Sequence, residues 1–342
     1  MFPTVILALL TLQPFVVATC PFLGSVGTHL TRRSENWSPT YQNTMTSADW
    51  QNLKLDIQAQ VMQAGHGPAA VRLAWHDAGT YTLAGSGGPH AQKRFISVVQ
   101  DTGLDATMSV MEPLKSKYPQ ISYADLWSFA GAVVVANSGG PSVKWRPNRA
   151  DAVDVFDEPF TTNDLPDFTW NAAQLKRFFY AKGFNDREIV ALSGGHCLGG
   201  VPQLNAPWTS TPLEFNNAYF VLLNNPDQYT AVDGGYKNRD GLIMLASDMA
   251  LVEDETFAQF VRLYAQDEEA FFNDFASAWE KLSELGITGG LGQYVDVRVG
   301  SGGSSGASGS GSSGSGSSGS GSYQPYSPPH HGRVKAVRIG RN

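Results

Sequence analysis

Two cysteines in 342 residues, Cys20 and Cys197, cannot build a disulfide framework. Basic residues are also in the minority. The chain has 24 Lys and Arg against 31 Asp and Glu, and its formal charge of −7 argues against a nucleic-acid partner. Long apolar runs are scarce as well. Past the first eighteen residues no stretch is long enough to span a bilayer, so no transmembrane segment is expected. Sustained apolar–polar alternation, the mark of a half-buried strand, does not occur. What is present is a 42 % hydrophobic chain long enough to bury a large core, in one to three domains on length alone.

The two ends differ from the middle. Met1–Ala18 has no charged side chain and reads as an apolar core, Val5-Ile6-Leu7-Ala8-Leu9-Leu10, followed by the small-residue site Val16-Val17-Ala18. That pattern is a secretory signal peptide, lacking only the usual basic start. The Asn36-Trp37-Ser38 sequon fits the same address. A mitochondrial presequence, the alternative, would need Arg and amphipathicity that Met1–Ala18 lacks. The sequence therefore predicts a secreted chain. Residues 19–42 form an extended arm, 43–298 a folded domain, and 299–342 a Gly/Ser linker with a Pro-rich, basic end. Two readings of that tail stay open. It is a disordered solubilising segment, or a basic arm carrying Arg333, Lys335, Arg338 and Arg341 to an anionic surface.

Within the domain the periodicity is helical. Ser47 is a cap candidate for a helix carrying Trp50, Leu53, Ile57 and Val61, and Pro68 opens the next. Further helices are predicted at 104–117, 122–136, 170–182, 186–193, 213–223, 241–252, 255–265 and 267–285. Short strands are allowed only near His196. The fold class is mostly α.

The chemistry concentrates in three places. In Val71-Arg72-Leu73-Ala74-Trp75-His76-Asp77-Ala78-Gly79, helical spacing puts Arg72, Trp75 and His76 on one face. A guanidinium and an imidazole on an otherwise apolar face are costly to bury unless their charge is used. A second histidine ends the run Ala191-Leu192-Ser193-Gly194-Gly195-His196, and a candidate carboxylate partner follows at Asp248. Two separated histidines, one with Arg and one with Asp, suit the two faces of a haem.

These segments resemble the distal, proximal and proximal-carboxylate signatures of the class I haem peroxidases, from roughly Ala48 to Thr288. The resemblance implies two helical subdomains enclosing one haem b per chain, with His196 on the iron and Asp248 behind it. His76 would act as general base and then acid toward hydrogen peroxide, with Arg72 stabilising charge on the leaving oxygen and Trp75 over the open iron position. Trp208, in Ala206-Pro207-Trp208, takes the place of a tryptophan that hydrogen-bonds the proximal carboxylate and carries a radical in cytochrome c peroxidase-like members. The implied reaction is reduction of hydrogen peroxide with one-electron oxidation of an electron donor, by a monomer. The other class of reading is a non-catalytic haem sensor or scavenger, which would not need Arg72, Trp75 and His76 together.

The departures are informative. Asp101, in Gln100-Asp101-Thr102-Gly103-Leu104, stands where the family has an Asn behind the distal histidine, and a carboxylate there is expected to raise the pKa of His76. Gly200 and Pro202 replace the basic residue and histidine that the family sets against the haem edge. The segment from His196 to Trp208 is short, leaving Asn205 as the polar contact where members hold ascorbate. Cys197 is a poor ligand for a hard cation and reads as a small buried residue. Several segments look closest to cytochrome c peroxidase, but a secreted enzyme would not meet that donor. The expected donor is therefore a small organic molecule.

Overall fold

The computed structural model describes residues 43–300, apart from 84–85, 96–100, 154–164 and 288. The leader at 1–18, the arm at 19–42 and the tail from 301 onward lie outside the described residues. The expected mostly α class is what the chain adopts.

Helix α1 (Ser47–Ile57) starts at the residue the sequence placed as its cap. The cap is Thr46, not Ser47: its hydroxyl accepts from Asp49 N–H at 3.2 Å, while the Asp49 carboxylate accepts from Thr46 N–H at 2.8 Å. This reciprocal pair satisfies two otherwise orphaned donors. A π-turn at Gln58–Met62 leads to α2 (Gly67–Gly79), opened by Pro68 as expected. Then come α3 (Leu104–Lys117) and α4 (Tyr123–Asn137), both within a residue of their predicted bounds.

Helix α4 is buried on every side from Ala124 to Ala136, which is why its pattern reads apolar all round. It is the post against which α2 leans. A Cβ added to Gly131 would lie 2.7 Å from Ala74 Cβ, so the two backbones cross at a distance only glycine allows. The crossing seats α2, and with it Arg72 and His76, on the most deeply buried helix.

At the base of α4 the fully buried Arg149 donates to Asp125 Oδ1 (3.1 Å) and to the Ser283 carbonyl (2.8 Å). Asp125 also accepts from the Asn148 and Arg149 N–H groups, yet burial still pushes its carboxyl up to about 6. Removing one member leaves a buried charge unpaired. Asp125→Ala is expected to cost ~3–5 kcal/mol of stability, measurable by denaturant unfolding. A loss below ~1 kcal/mol would show that the pair tolerates solvent.

After α5 (Ala172–Tyr180) and α6 (Asp186–Ser193), the chain tightens into a 3-10 turn, Gly194–Cys197, that holds His196. A Cβ on Gly194 would meet the Phe271 ring at 2.4 Å, so glycine lets this turn sit flush on the last long helix, α10 (Glu268–Ser283). Strands β1 (Gly200–Val201) and β2 (Ala206–Pro207) pair antiparallel, the short strands expected near His196.

Three elements differ from the sequence reading. The helix predicted at 213–223 is only α7, Ala218–Leu223. The one predicted at 241–252 begins at Ala246 (α8, Ala246–Glu253), because Ile243–Met244 is strand β5. That strand completes an unforeseen sheet with β3 (Tyr229–Val232) and β4 (Gly235–Asn238). The β3–β4 hairpin turns on Asp233-Gly234, with Gly234 at φ +83°; this Asp-Gly pair was the available hairpin signal. Helix α9 (Glu255–Gln266) precedes α10. Among the described residues no helix is long and apolar enough to cross a membrane.

Candidate active site

On α2 the predicted face forms. Arg72 and Trp75 are half-buried and His76 is 7 % exposed. The His76 Nδ1 lies 2.8 Å from Asp101 Oδ1. A carboxylate only accepts, so Nδ1 carries the hydrogen and Nε2 keeps its lone pair. Asp101 also meets Lys93 Nζ at 2.8 Å through its other oxygen, and both residues are buried. Arg72 donates to the Thr102 carbonyl at 2.9 Å, which ties the helix to the turn carrying Asp101. Trp75 is stacked on Phe179 of α5, with centroids 5.8 Å apart.

Asp101 therefore makes the contact expected of it, but the pKa of His76 does not rise. Burial of the imidazole is the largest influence, and it holds the pKa down at about 4, aided by the positive charges of Arg72 and Lys93. The pull of Asp101 is upward, as expected, and is outweighed. The sequence reading omitted Lys93. Burial also draws Arg72 below its ordinary value, with Asp101 opposing.

The second cluster surrounds His196. Its Nδ1 donates to Asp248 Oδ1 at 2.9 Å, at the start of α8. The same oxygen accepts from the Tyr219 hydroxyl at 2.6 Å, and Oδ2 accepts from Leu245 N–H at 2.7 Å. Burial and Asp248 push the Tyr219 phenol well up, so it is a fixed donor. Trp208 does not take the expected place on the carboxylate. Its indole lies flat on the His196 ring, with centroids 4.1 Å apart and planes at 7°. Tyr219 fills the hydrogen-bonding role instead, and no spacing in the sequence marked it.

With Nδ1 committed, His196 presents Nε2 as its only free donor atom, on a ring that is 39 % exposed. One neutral imidazole with a carboxylate behind it is the donor set that a haem iron takes. The residues present fit that group. Asn205 sits at the tip of the β1–β2 connection, exposed and in the left-handed region at φ +44°. Cys197 is buried, its thiol pushed up to about 12 by that burial, as a small core residue should be. Among the described residues there is no cluster of three or more His, Cys, Asp or Glu that would hold a bare metal ion.

Comparison with known proteins agrees with this geometry. The pattern of the family described as Peroxidase matches residues 53–267. A rice protein (Oryza sativa subsp. japonica) named "Probable L-ascorbate peroxidase 3, peroxisomal" is 42 % identical over 249 residues, 70 % of this chain and 80 % of the relative. A mitochondrial cytochrome c peroxidase of Cryptococcus neoformans var. grubii is 42 % identical over 234 residues, 64 % of this chain and 62 % of the relative. The expectation of secretion is overturned here. The relatives whose names give a compartment are peroxisomal or mitochondrial, and an apolar N-terminal run with a small-residue site is too weak a pattern to stand against them.

Proposed function

Since this chain belongs to the class I haem peroxidases, enzymes that reduce hydrogen peroxide while oxidising a donor, we propose that His76 and Arg72 work on the peroxide and that His196 holds the iron. The observation that carries the assignment is the pair of histidine–carboxylate contacts, His76–Asp101 at 2.8 Å and His196–Asp248 at 2.9 Å. Each fixes a tautomer with Nε2 unprotonated. Only the first has a guanidinium on its face.

When bound, the haem supplies an iron that accepts the peroxide and passes oxidising equivalents to the donor. The chain's own residues handle the protons. His76 Nε2 takes a proton from one peroxide oxygen and returns it to the departing one, which leaves as water. Arg72 keeps its charge and stabilises the negative charge growing on that oxygen. On the other side, the Asp248 carboxylate makes the His196 ring a stronger electron donor by accepting its Nδ1–H. Tyr219, bonded to the same oxygen, moderates that pull. Overall, one peroxide, two reduced donors and two protons give two waters and two one-electron-oxidised donors.

Haem b is the form the chain supports. Thioether attachment needs Cys-x-x-Cys-His, and the two cysteines are 177 positions apart, at 20 and 197.

The donor reading rests on the β1–β2 segment. From Leu198 to Trp208 the chain carries no charged side chain, so that segment offers an anion such as ascorbate no cation, only neutral polar groups such as Asn205. With secretion overturned, compartment no longer argues against cytochrome c; the uncharged rim still favours a small neutral donor such as a phenol. Steady-state turnover of haem-loaded protein with guaiacol, ascorbate and reduced cytochrome c tests this. The expected order puts guaiacol first in kcat/KM. A clear preference for ascorbate would overturn the donor reading while leaving the peroxide chemistry intact.

A further inference from the structure

The distal carboxylate raises a problem that its surroundings answer. A buried, ionised Asp in contact with an imidazole draws a proton onto it, and a protonated His76 is no base. The structure places a second buried charge on the same carboxylate, Lys93 Nζ at 2.8 Å from Oδ2, opposite the oxygen that holds His76. We infer that Lys93 is a positioning residue of the peroxide side: its ammonium neutralises Asp101, so that Asp101 can orient His76 without protonating it. This inference rests on the role proposed above for His76.

The backbone is arranged to deliver this lysine. Lys93 lies in a 3-10 turn, Gln92–Arg94, whose preceding residue Ala91 is at φ +54°, a conformation that costs a non-glycine residue energy. What holds Ala91 there is Asp77, the residue after His76, which accepts the Ala91 N–H at 2.8 Å. Consecutive residues of α2 thus grip both parts of the device: Asp77 sets the turn that presents Lys93, and His76 contacts Asp101. The Lys93 side chain is only 3 % exposed and its Asp101 partner 2 %. Water does little to screen such a pair, so its charge balance reaches the imidazole, on top of the larger effect of burial.

The charged groups facing His76 are few. Arg72 lies on its own helix, and Asp101 and Lys93 come from the segment before α3. Asp77 is adjacent, its carboxyl pushed up to about 7 by burial and held down in part by Lys93. On the helices packed against α2, Asp125 of α4 is paired with Arg149, Lys281 of α10 with Glu188, and Glu284, just past the end of α10, with Arg146. None of those pairs contains His76. With Lys93 and Asp101 both charged and His76 neutral, the trio sums to zero; loss of the ammonium alone leaves −1, which one proton cancels. That proton goes to His76 Nε2, leaving an imidazolium paired with the ionised Asp101 and no base on that face.

The test uses haem-loaded protein and two readouts against pH: the rate of reaction with peroxide, and the equilibrium affinity for cyanide, whose binding as HCN also needs a distal base. Lys93→Gln keeps a hydrogen-bond donor but no charge, and should move the acid limb of both profiles upward by ~2 pH units. Lys93→Arg should keep both profiles near those of the wild type. Lys93→Gln/Asp101→Asn removes both charges and should return both limbs toward the wild type, although it leaves Asp77 without its cation; recovery therefore singles out Asp101. Thermal stability and haem retention should follow the same order, lower in the single variant and recovered in the double.

Unchanged limbs in Lys93→Gln would overturn the inference, as would a double variant that recovers neither profile nor stability. A wild type that binds haem but leaves peroxide untouched would sink the functional reading instead.

Discussion

His76→Leu is expected to slow the reaction with hydrogen peroxide by ~10²–10⁴-fold while haem stays bound, the range that a positioned general acid–base contributes. Among the described residues, the variant removes the only group on that face of α2 able to take a proton and give it back. Arg72 cannot substitute, because a guanidinium only donates. Arg72→Leu should cost less than His76→Leu, and the double variant should lose less than the product of the two, since both act on one bond cleavage. The wild-type pH profile carries the sign of the argument. Burial holds His76 at about 4, so Nε2 is unprotonated from pH 5 upward and the rate should be level there. It should fall as pH drops through about 4, where the imidazole takes the proton it needs to receive from peroxide. Stopped-flow absorbance at a series of peroxide concentrations measures all of this. A His76→Leu rate within a few-fold of wild type would remove His76 from the mechanism.

How far the sequence could be read depended on how local the determinant was. Arg72 and His76 are one helical turn apart, so the 3.6-residue period alone put them on one face. Their helix, with Pro68 at its start, formed as predicted. Asp101 could be placed behind His76 through the family resemblance, which sets an Asn there just before a Gly-Leu pair, and Leu104 opens α3 as expected. Lys93 was invisible for the opposite reason. It reaches Asp101 through a 3-10 turn and a strained Ala91, and no periodic pattern encodes either. The resulting error was one of sign: a lone carboxylate raises a histidine pKa, whereas burial, Arg72 and Lys93 together lower it.

The proximal side shows the same limit. Asp248 could be named from its motif, but its second partner is Tyr219, brought from α7 by packing. Trp208, expected on the carboxylate, lies flat on His196 instead. The β3–β5 sheet had a local signal in Asp233-Gly234, and only the short length of its strands hid it.

His196→Ala should abolish axial ligation and most haem retention. Among the described residues, His196 is the only histidine that combines a carboxylate-fixed Nδ1, a partly exposed ring and a stacked indole. The substitution leaves Asp248 with the Tyr219 hydroxyl and Leu245 N–H, so the carboxylate stays hydrogen-bonded and the fold should survive. The space left under Trp208 matches an imidazole ring, and free imidazole added to the variant should restore part of the haem binding and of the ferric spectrum. Asp248→Asn is the companion measurement. It keeps the histidine but replaces a negative acceptor with a neutral one, so the iron should lose electron density and its reduction potential should rise. Haem titration followed by absorbance, with and without imidazole, reads the first effect; spectroelectrochemistry reads the second. If His196→Ala holds haem with an unchanged spectrum, the iron sits on the other histidine, and the roles assigned to the two faces are reversed.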